Sequence, residues 1–156
     1  MPPVLIVAYG NFLRSDDGVA WRAADALAGK FSEPDVEILR LHQLTPELAD
    51  TVRSFCTVIF VDAASSDASQ NKPGAIRVEE IGGGTSEPTR FSHVLSPKKV
   101  VDLATQLYGA TLRAFCVTVA GDNFDHGDSL SPVVAAAFPE LVAKIAGLVQ
   151  QSLTNS

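Results

Sequence analysis

The sequence has few cysteines and gives them no reactive setting. Cys56 and Cys116 are the two cysteines of the chain, and each lies among apolar residues that indicate strands. We interpret both as small buried side chains in a reducing cytosol. Neither follows a helix start or has a basic neighbour that would lower the pKa of its thiol, so the pattern disfavours a catalytic cysteine.

Basic clusters are also missing. The formal net charge is -6, and the 12 Lys and Arg residues are scattered along the chain. Nucleic acids and anionic membranes need a basic surface to bind, so the sequence excludes both as partners. The N-terminus has no basic region followed by a signal-type apolar stretch, and we find no apolar run that is long enough to span a bilayer. These features predict a cytoplasmic protein without membrane insertion.

Length and composition predict one domain over residues 1–156. Hydrophobic residues make up 46% of the chain and charged residues 19%, which is ordinary for a globular protein. A domain of this size buries roughly two thirds of the surface of its unfolded chain. It therefore needs neither disulfides nor a structural metal to fold.

Short apolar runs alternate with helical patterns along the chain. Residues 4–9, 36–41 and 57–62 predict buried strands, 75–81 an edge strand, and 112–119 a fifth strand. Helices are predicted over 19–27, after Thr45-Pro46-Glu47 with Thr45 as its cap, over 97–108, and from Val133 to about Leu153 with an interruption at Pro139. Gly82 to Ser96 predicts a long mobile loop. The alternation predicts an α/β fold: a three-layer α/β/α sandwich with a mostly parallel five-stranded sheet.

Polar residues follow the ends of two predicted strands. Gly10-Asn11 and Asp16-Asp17 come after the first strand, and Asp62 ends the third. In open parallel sheets, ligands bind beyond the carboxyl ends of the strands. The long loop carries His93 and could fold over the same edge. Two carboxylates and an imidazole in one place would suit a divalent metal ion with oxygen and nitrogen ligands.

Each of these residues also has an ordinary structural use. Asp16 or Asp17 could cap the following helix, Asp62 could accept hydrogen bonds from loop amides, and His93 could be a solvated loop residue. The chain lacks a dinucleotide glycine motif, a Walker lysine, a zinc H-E-x-x-H pair and a G-x-S-x-G elbow. Ser15 and Ser92 have no visible base, which disfavours a serine nucleophile, and we interpret His42 and His126 as surface groups.

Four segments, in order and across nearly the whole chain, resemble one known family. Residues 10–18 read GNFLRSDDG and resemble the G-N-x-L-x-x-D-[DE]-G signature of the hydrogenase maturation proteases. Residues 58–63, VIFVDA, followed by Pro73-Gly74, resemble the second acidic segment of that family. Residues 92–96, SHVLS, resemble its S-H-x-L-S segment, and 127–132, GDSLSP, resemble its G-x-x-L-S-P run.

The resemblance implies an endopeptidase that removes the C-terminal extension from the large-subunit precursor of a nickel–iron hydrogenase after nickel is loaded. Carried over residue by residue, it implies that Asp17, Asp62 and His93 contact nickel, which the substrate supplies. Gly10, Asn11 and Asp16 would then support the site, with Asp16 capping the helix. The alternatives are a non-catalytic nickel-binding maturation scaffold with the same three residues, and a small-molecule hydrolase on the same fold.

Overall fold

A single mixed sheet organises the part of the chain that the structure, a computed structural model, describes: residues 3–31, 34–65, 72–82 and 95–154. Its strand order is β2-β1-β3-β5-β4, and only β4 runs antiparallel to its neighbour. The predicted mostly parallel five-stranded sheet is therefore confirmed. The strands are β1 (Val4–Tyr9), β2 (Val36–Leu41), β3 (Thr57–Ala64), β4 (Ile76–Ile81) and β5 (Arg113–Ala120).

Helices cover both faces of this sheet, as predicted. Helices α1 (Val19–Ala28) and α4 (Pro132–Thr154) contribute to the core on one face, and α2 (Leu48–Val52) and α3 (Pro97–Tyr108) to the core on the other. A 3₁₀ turn, Ser15–Gly18, leads into α1. Alternate residues of a strand point to opposite faces, so a strand covered on both sides must be apolar throughout. That requirement explains the uninterrupted apolar runs of β1 and β3.

The strand order creates a crevice beside β1. From β1 the chain passes through α1 to β2 on one side, and then crosses back to β3 on the other side. The loops that leave β1 and β3 therefore run in opposite directions and separate at the carboxyl ends of the two strands. This is the topological switch point at which α/β sheets bind ligands.

Helix α3 has the bounds and both ends that the sequence predicts. Ser96 is its N-cap, and the Ser96 hydroxyl oxygen accepts a hydrogen bond from the Lys99 N–H at 3.2 Å. Pro97 occupies the first turn, and Gly109 ends the helix in the left-handed region at φ 64°. The prediction for α2 was less accurate. That helix begins at Leu48, after Glu47, and no side chain caps it.

Helix α4 differs from its prediction at Pro139. It runs without a break through Pro139, so the predicted interruption is wrong. Pro139 cannot donate to the carbonyl group of Ala135, but both residues are exposed, and water can satisfy that carbonyl. By length and mean apolar composition alone, α4 could also cross a membrane, although Glu140 and Lys144 interrupt its apolar run. In the fold, residues of one face of α4 pack into the core against the sheet, as Leu141 and Ile145 do.

Candidate functional site

A cavity with a volume of about 510 Å³ opens at the carboxyl ends of β1 and β3. Tyr9, Gly10 and Asp17 line it from the β1 side, and Asp62 lines it from β3. Residues 42–46, between β2 and α2, and Leu95 and Lys99, at the start of α3, complete the wall. The two carboxylates that the sequence places after separate strands therefore meet at the switch point.

Gly10 allows the loop after β1 to fold back against the strand end. Its φ is +145°, a conformation that side chains disfavour, and an added Cβ would overlap the carbonyl oxygen of Asp17. The Asn11 N–H donates to Asp17 Oδ2 at 2.8 Å, which fixes that carboxylate at the rim of the cavity. The Asn11 side chain accepts from the Leu13 N–H at 2.9 Å. Asn11 thus orients the loop backbone, which agrees with the supporting role that the resemblance implies for it.

Asp62 lies in a setting that disfavours its charge. Burial raises its pKa first and the nearby negative charge of Asp17 raises it further, to about 7, although interactions with the Ala63 N–H and the Tyr9 hydroxyl lower it. Two half-buried carboxylates close enough to repel each other would be stabilised by a cation placed between them. The pair is therefore suited to binding a divalent ion, and protons compete with that ion near neutral pH.

Tyr9 and Cys116 lie on the same face of the sheet as Asp62. Burial and then the charge of Asp62 raise the pKa of both side chains, that of Cys116 to about 12. The Cys116 thiol is therefore neutral at physiological pH, which agrees with the expectation that it is not a nucleophile. Cys56, by contrast, is exposed, so the prediction that it is buried is wrong.

The sequence predicts that Asp16 caps α1, but Asp16 binds a distant loop instead. No side chain caps the 3₁₀ turn or α1. The completely buried Asp16 carboxylate accepts from the backbone N–H groups of Asp122, Asn123 and Ser131 and from the Ser131 hydroxyl, at 2.8–2.9 Å. Burial alone would raise the pKa of Asp16, but these donors together hold it below its usual value. Asp16 thus joins the loop that carries Asp17 to the start of α4.

His93, together with Ser92 and most of the predicted loop from Gly82 to Ser96, lies outside the described residues. Leu95, two positions after His93, lines the cavity. Among the residues that the structure describes, no three His, Cys, Asp or Glu side chains form a group that could hold a metal ion. A metal site built on Asp17 and Asp62 thus needs a further ligand from elsewhere.

His42 and Lys99 line the cavity, although the sequence analysis does not place them in the site. His42 is exposed, as predicted, but it also lines the cavity, and its ring lies 5.3 Å from that of Trp21. It directly follows β2, so the strand-end argument applied to Asp62 could have found it. Lys99 gave no comparable signal, because its position depends on how α3 packs. His126 lies in a separate surface hollow beside Arg14.

Solved structures resemble this chain over nearly its full length. The hydrogenase maturating endopeptidase HybD from E. coli superposes with a TM-score of 0.75 at 21% identity, covering 97% of this chain and 94% of that one. The [NiFe] hydrogenase maturation protease HybD from Thermococcus kodakarensis gives 0.69 at 24% identity, covering 96% and 99%. HycI, a [NiFe] hydrogenase maturation protease from Thermococcus kodakarensis KOD1, gives 0.73 at 19% identity, covering 94% and 92%.

Comparisons of sequence alone were negative. No protein-family model matches the chain, and no curated protein matches it. The likeness is therefore one of fold, shared with several proteins that are named as hydrogenase maturation proteases. It confirms, at the level of the fold, the resemblance drawn from the four sequence segments.

Proposed function

We propose that this chain is a cytoplasmic endopeptidase that trims the C-terminal extension from a nickel-loaded precursor of a nickel–iron hydrogenase large subunit. One observation carries the proposal: Asp17 and Asp62, which belong to the two acidic segments of the family resemblance, line one cavity at the switch point of the sheet. The fold likeness to named hydrogenase maturation proteases supports the same activity.

Nickel acts here as part of the substrate. Asp17 and Asp62 offer carboxylate oxygens and His93 an imidazole nitrogen, a mixed ligand set that suits a borderline divalent ion. Burial and the charge of Asp17 together raise the pKa of Asp62, and both effects favour the binding of a cation beside it. A precursor that carries nickel would relieve the repulsion between the two carboxylates, whereas a precursor without nickel would not. The two carboxylates would thus make trimming depend on prior nickel loading.

The cleavage itself is hydrolysis of one peptide bond. The oxygen of a water molecule adds to the scissile carbonyl carbon, the C–N bond breaks, and the released amine takes a proton. Binding of the nickel would hold the scissile bond in the cavity and exclude bulk water, which lowers the entropic part of the barrier. The metal supplies Lewis acidity toward the carbonyl oxygen or the water. Gly10 and Asn11 keep Asp17 in place during these events.

A mass measurement tests the proposal. Purified precursor would be incubated with this protein, once loaded with nickel and once free of nickel, and its mass compared before and after. The proposal predicts loss of a C-terminal segment from the nickel-loaded precursor only. Binding of the loaded precursor without any loss of mass would favour the nickel-binding scaffold instead. If the loaded precursor is neither bound nor shortened, the endopeptidase and the scaffold are both overturned, and the small-molecule hydrolase remains.

A further inference from the structure

Lys99 places a positive charge in the wall of the cavity that contains the two carboxylates. It lies in the first turn of α3 and lines the same cavity as Asp17 and Asp62. The start of α3 is well fixed, because Ser96 caps it and Val100 is completely buried in the core. The backbone of Lys99 is therefore held in place at the rim of the site.

The charge of Lys99 has no partner within the described residues. Its ammonium group makes no ion pair or hydrogen bond there, although the preceding lysine, Lys98, pairs with Asp102 at 2.9 Å. The residue as a whole is half-buried, and it lines the cavity. An unpaired charge in a cavity wall is available to a ligand that brings the opposite charge.

The cavity therefore offers charges of both signs to one ligand. The two carboxylates can bind a cation, and Lys99 can bind an oxygen that carries negative charge. A nickel-loaded peptide segment presents both features together. Its metal ion is positive, and its scissile carbonyl oxygen becomes negative as water adds to the carbonyl carbon. A carboxylate in the tail of the precursor would present the same chemistry to Lys99.

We propose that Lys99 binds a negatively charged oxygen of the precursor tail while Asp17 and Asp62 bind its nickel. This inference rests on the proposed function. Lys99 forms no covalent bond in the reaction; it donates a hydrogen bond and contributes its positive charge. Hydrogen bonds to charged groups are stronger than neutral ones, so we expect its loss to reduce kcat/KM about 10-fold to 100-fold.

The test compares three variants on the nickel-loaded precursor. Lys99→Met removes the charge and keeps much of the side-chain length, and Lys99→Arg keeps the charge. Lys144→Met is the matched control, because Lys144 is an exposed lysine of α4 and its replacement changes the net charge equally. Thermal unfolding of each variant verifies that the fold is retained. We expect the stated loss for Lys99→Met, partial recovery for Lys99→Arg, and wild-type kinetics for Lys144→Met.

The kinetic parameters identify which oxygen Lys99 binds. A lower kcat with unchanged KM assigns the scissile carbonyl oxygen. A higher KM for Lys99→Met assigns a tail carboxylate if replacing the tail carboxylates of the precursor by amides raises the KM of the wild type equally and raises that of the variant no further. Equal kcat and KM for Lys99→Met and Lys144→Met would overturn the inference while the wild type still trims the precursor. Failure of the wild type to trim would instead overturn the proposed function.

Discussion

Replacing Asp16 tests whether this buried carboxylate holds the site loop and the start of α4 together. Alanine would leave three backbone N–H groups and one hydroxyl without their acceptor. Each buried donor left unsatisfied costs about 1–3 kcal/mol, so the three backbone donors give about 3–9 kcal/mol. Because Asp122 and Asn123 are exposed, water can reach part of the gap. We therefore expect a loss of about 4 kcal/mol, at the lower end of that range.

Asp16→Asn should destabilise the protein less than Asp16→Ala does, because it affects the individual hydrogen bonds differently. Three of the four hydrogen bonds reach Oδ2 and one, from the Ser131 N–H, reaches Oδ1. An amide can put its oxygen at the Oδ2 position, but its NH₂ group then faces the Ser131 N–H. One hydrogen bond is lost and the others lose their charge assistance, so we expect about 2 kcal/mol. Asp122→Asn, an exposed change in the bound loop, is the control and should stay within about 0.5 kcal/mol of wild type.

Urea unfolding at two pH values measures these effects. Since folding lowers the pKa of Asp16, its contribution is complete above the unfolded-state pKa, about 3.9, and is lost as the pH falls through the folded-state pKa. The deficit of Asp16→Ala should thus be full at pH 7 and should shrink below about pH 4. For a domain of this size, 4 kcal/mol corresponds to a fall in Tm of about 8–16 °C. A deficit under about 1 kcal/mol at pH 7 would refute the reasoning.

Three further changes test individual features of the fold and site. Because folding raises the pKa of Asp62 to about 7, the folded chain keeps a proton that the unfolded chain loses between about pH 4 and 7, and stability falls as pH rises. Asp62→Asn should remove this pH dependence and raise the free energy of unfolding in urea by about 2 kcal/mol at pH 8. An unchanged pH dependence would contradict the environment described for Asp62. Gly10→Ala should cost more than about 2 kcal/mol through its positive φ and its overlap with Asp17. Gly29→Ala, at φ -78° with only an ordinary contact of 3.6 Å to the Ala26 carbonyl oxygen, should be neutral or stabilising by about 0.5 kcal/mol. Equal stability of the two alanine variants would exclude this role for Gly10. Pro139→Ala should stabilise the uninterrupted α4 by about 1 kcal/mol in urea unfolding, because proline disfavours the interior of a helix. Pro132→Ala should not stabilise it, because proline is favoured at the first position of a helix. Destabilisation by Pro139→Ala would argue for a helix divided at that residue.

Features with local signals could be predicted from the sequence. The central strands are apolar throughout because both of their faces are covered, and a covered strand needs no long-range information to be recognised. Helix α3 has a Ser-Pro start and a glycine end, and it begins and ends where those residues predict. The strand-end argument also brings Asp17 and Asp62 to one edge without any knowledge of their contacts.

Features that depend on long-range packing could not be predicted. The groups that donate hydrogen bonds to Asp16 lie 106 to 115 residues away along the chain. The position of Asp16 just before α1 therefore suggested the wrong partner. The continuity of α4 depends on Pro139 lying on an exposed face. Lys99 faces the site only because α3 packs beside the cavity. None of these relations leaves a local pattern in the chain.

The most direct test of the central claim is trimming of a nickel-loaded precursor by Asp62→Asn. The exposed Asp125→Asn change serves as the control, because it removes the same charge from a residue that does not line the cavity. Since Asp62→Asn is expected to stabilise the free protein at pH 8, a loss of trimming there cannot be ascribed to unfolding. The account predicts that wild type and Asp125→Asn shorten the precursor, and that Asp62→Asn leaves its mass unchanged. Trimming by Asp62→Asn at the wild-type rate would contradict the account.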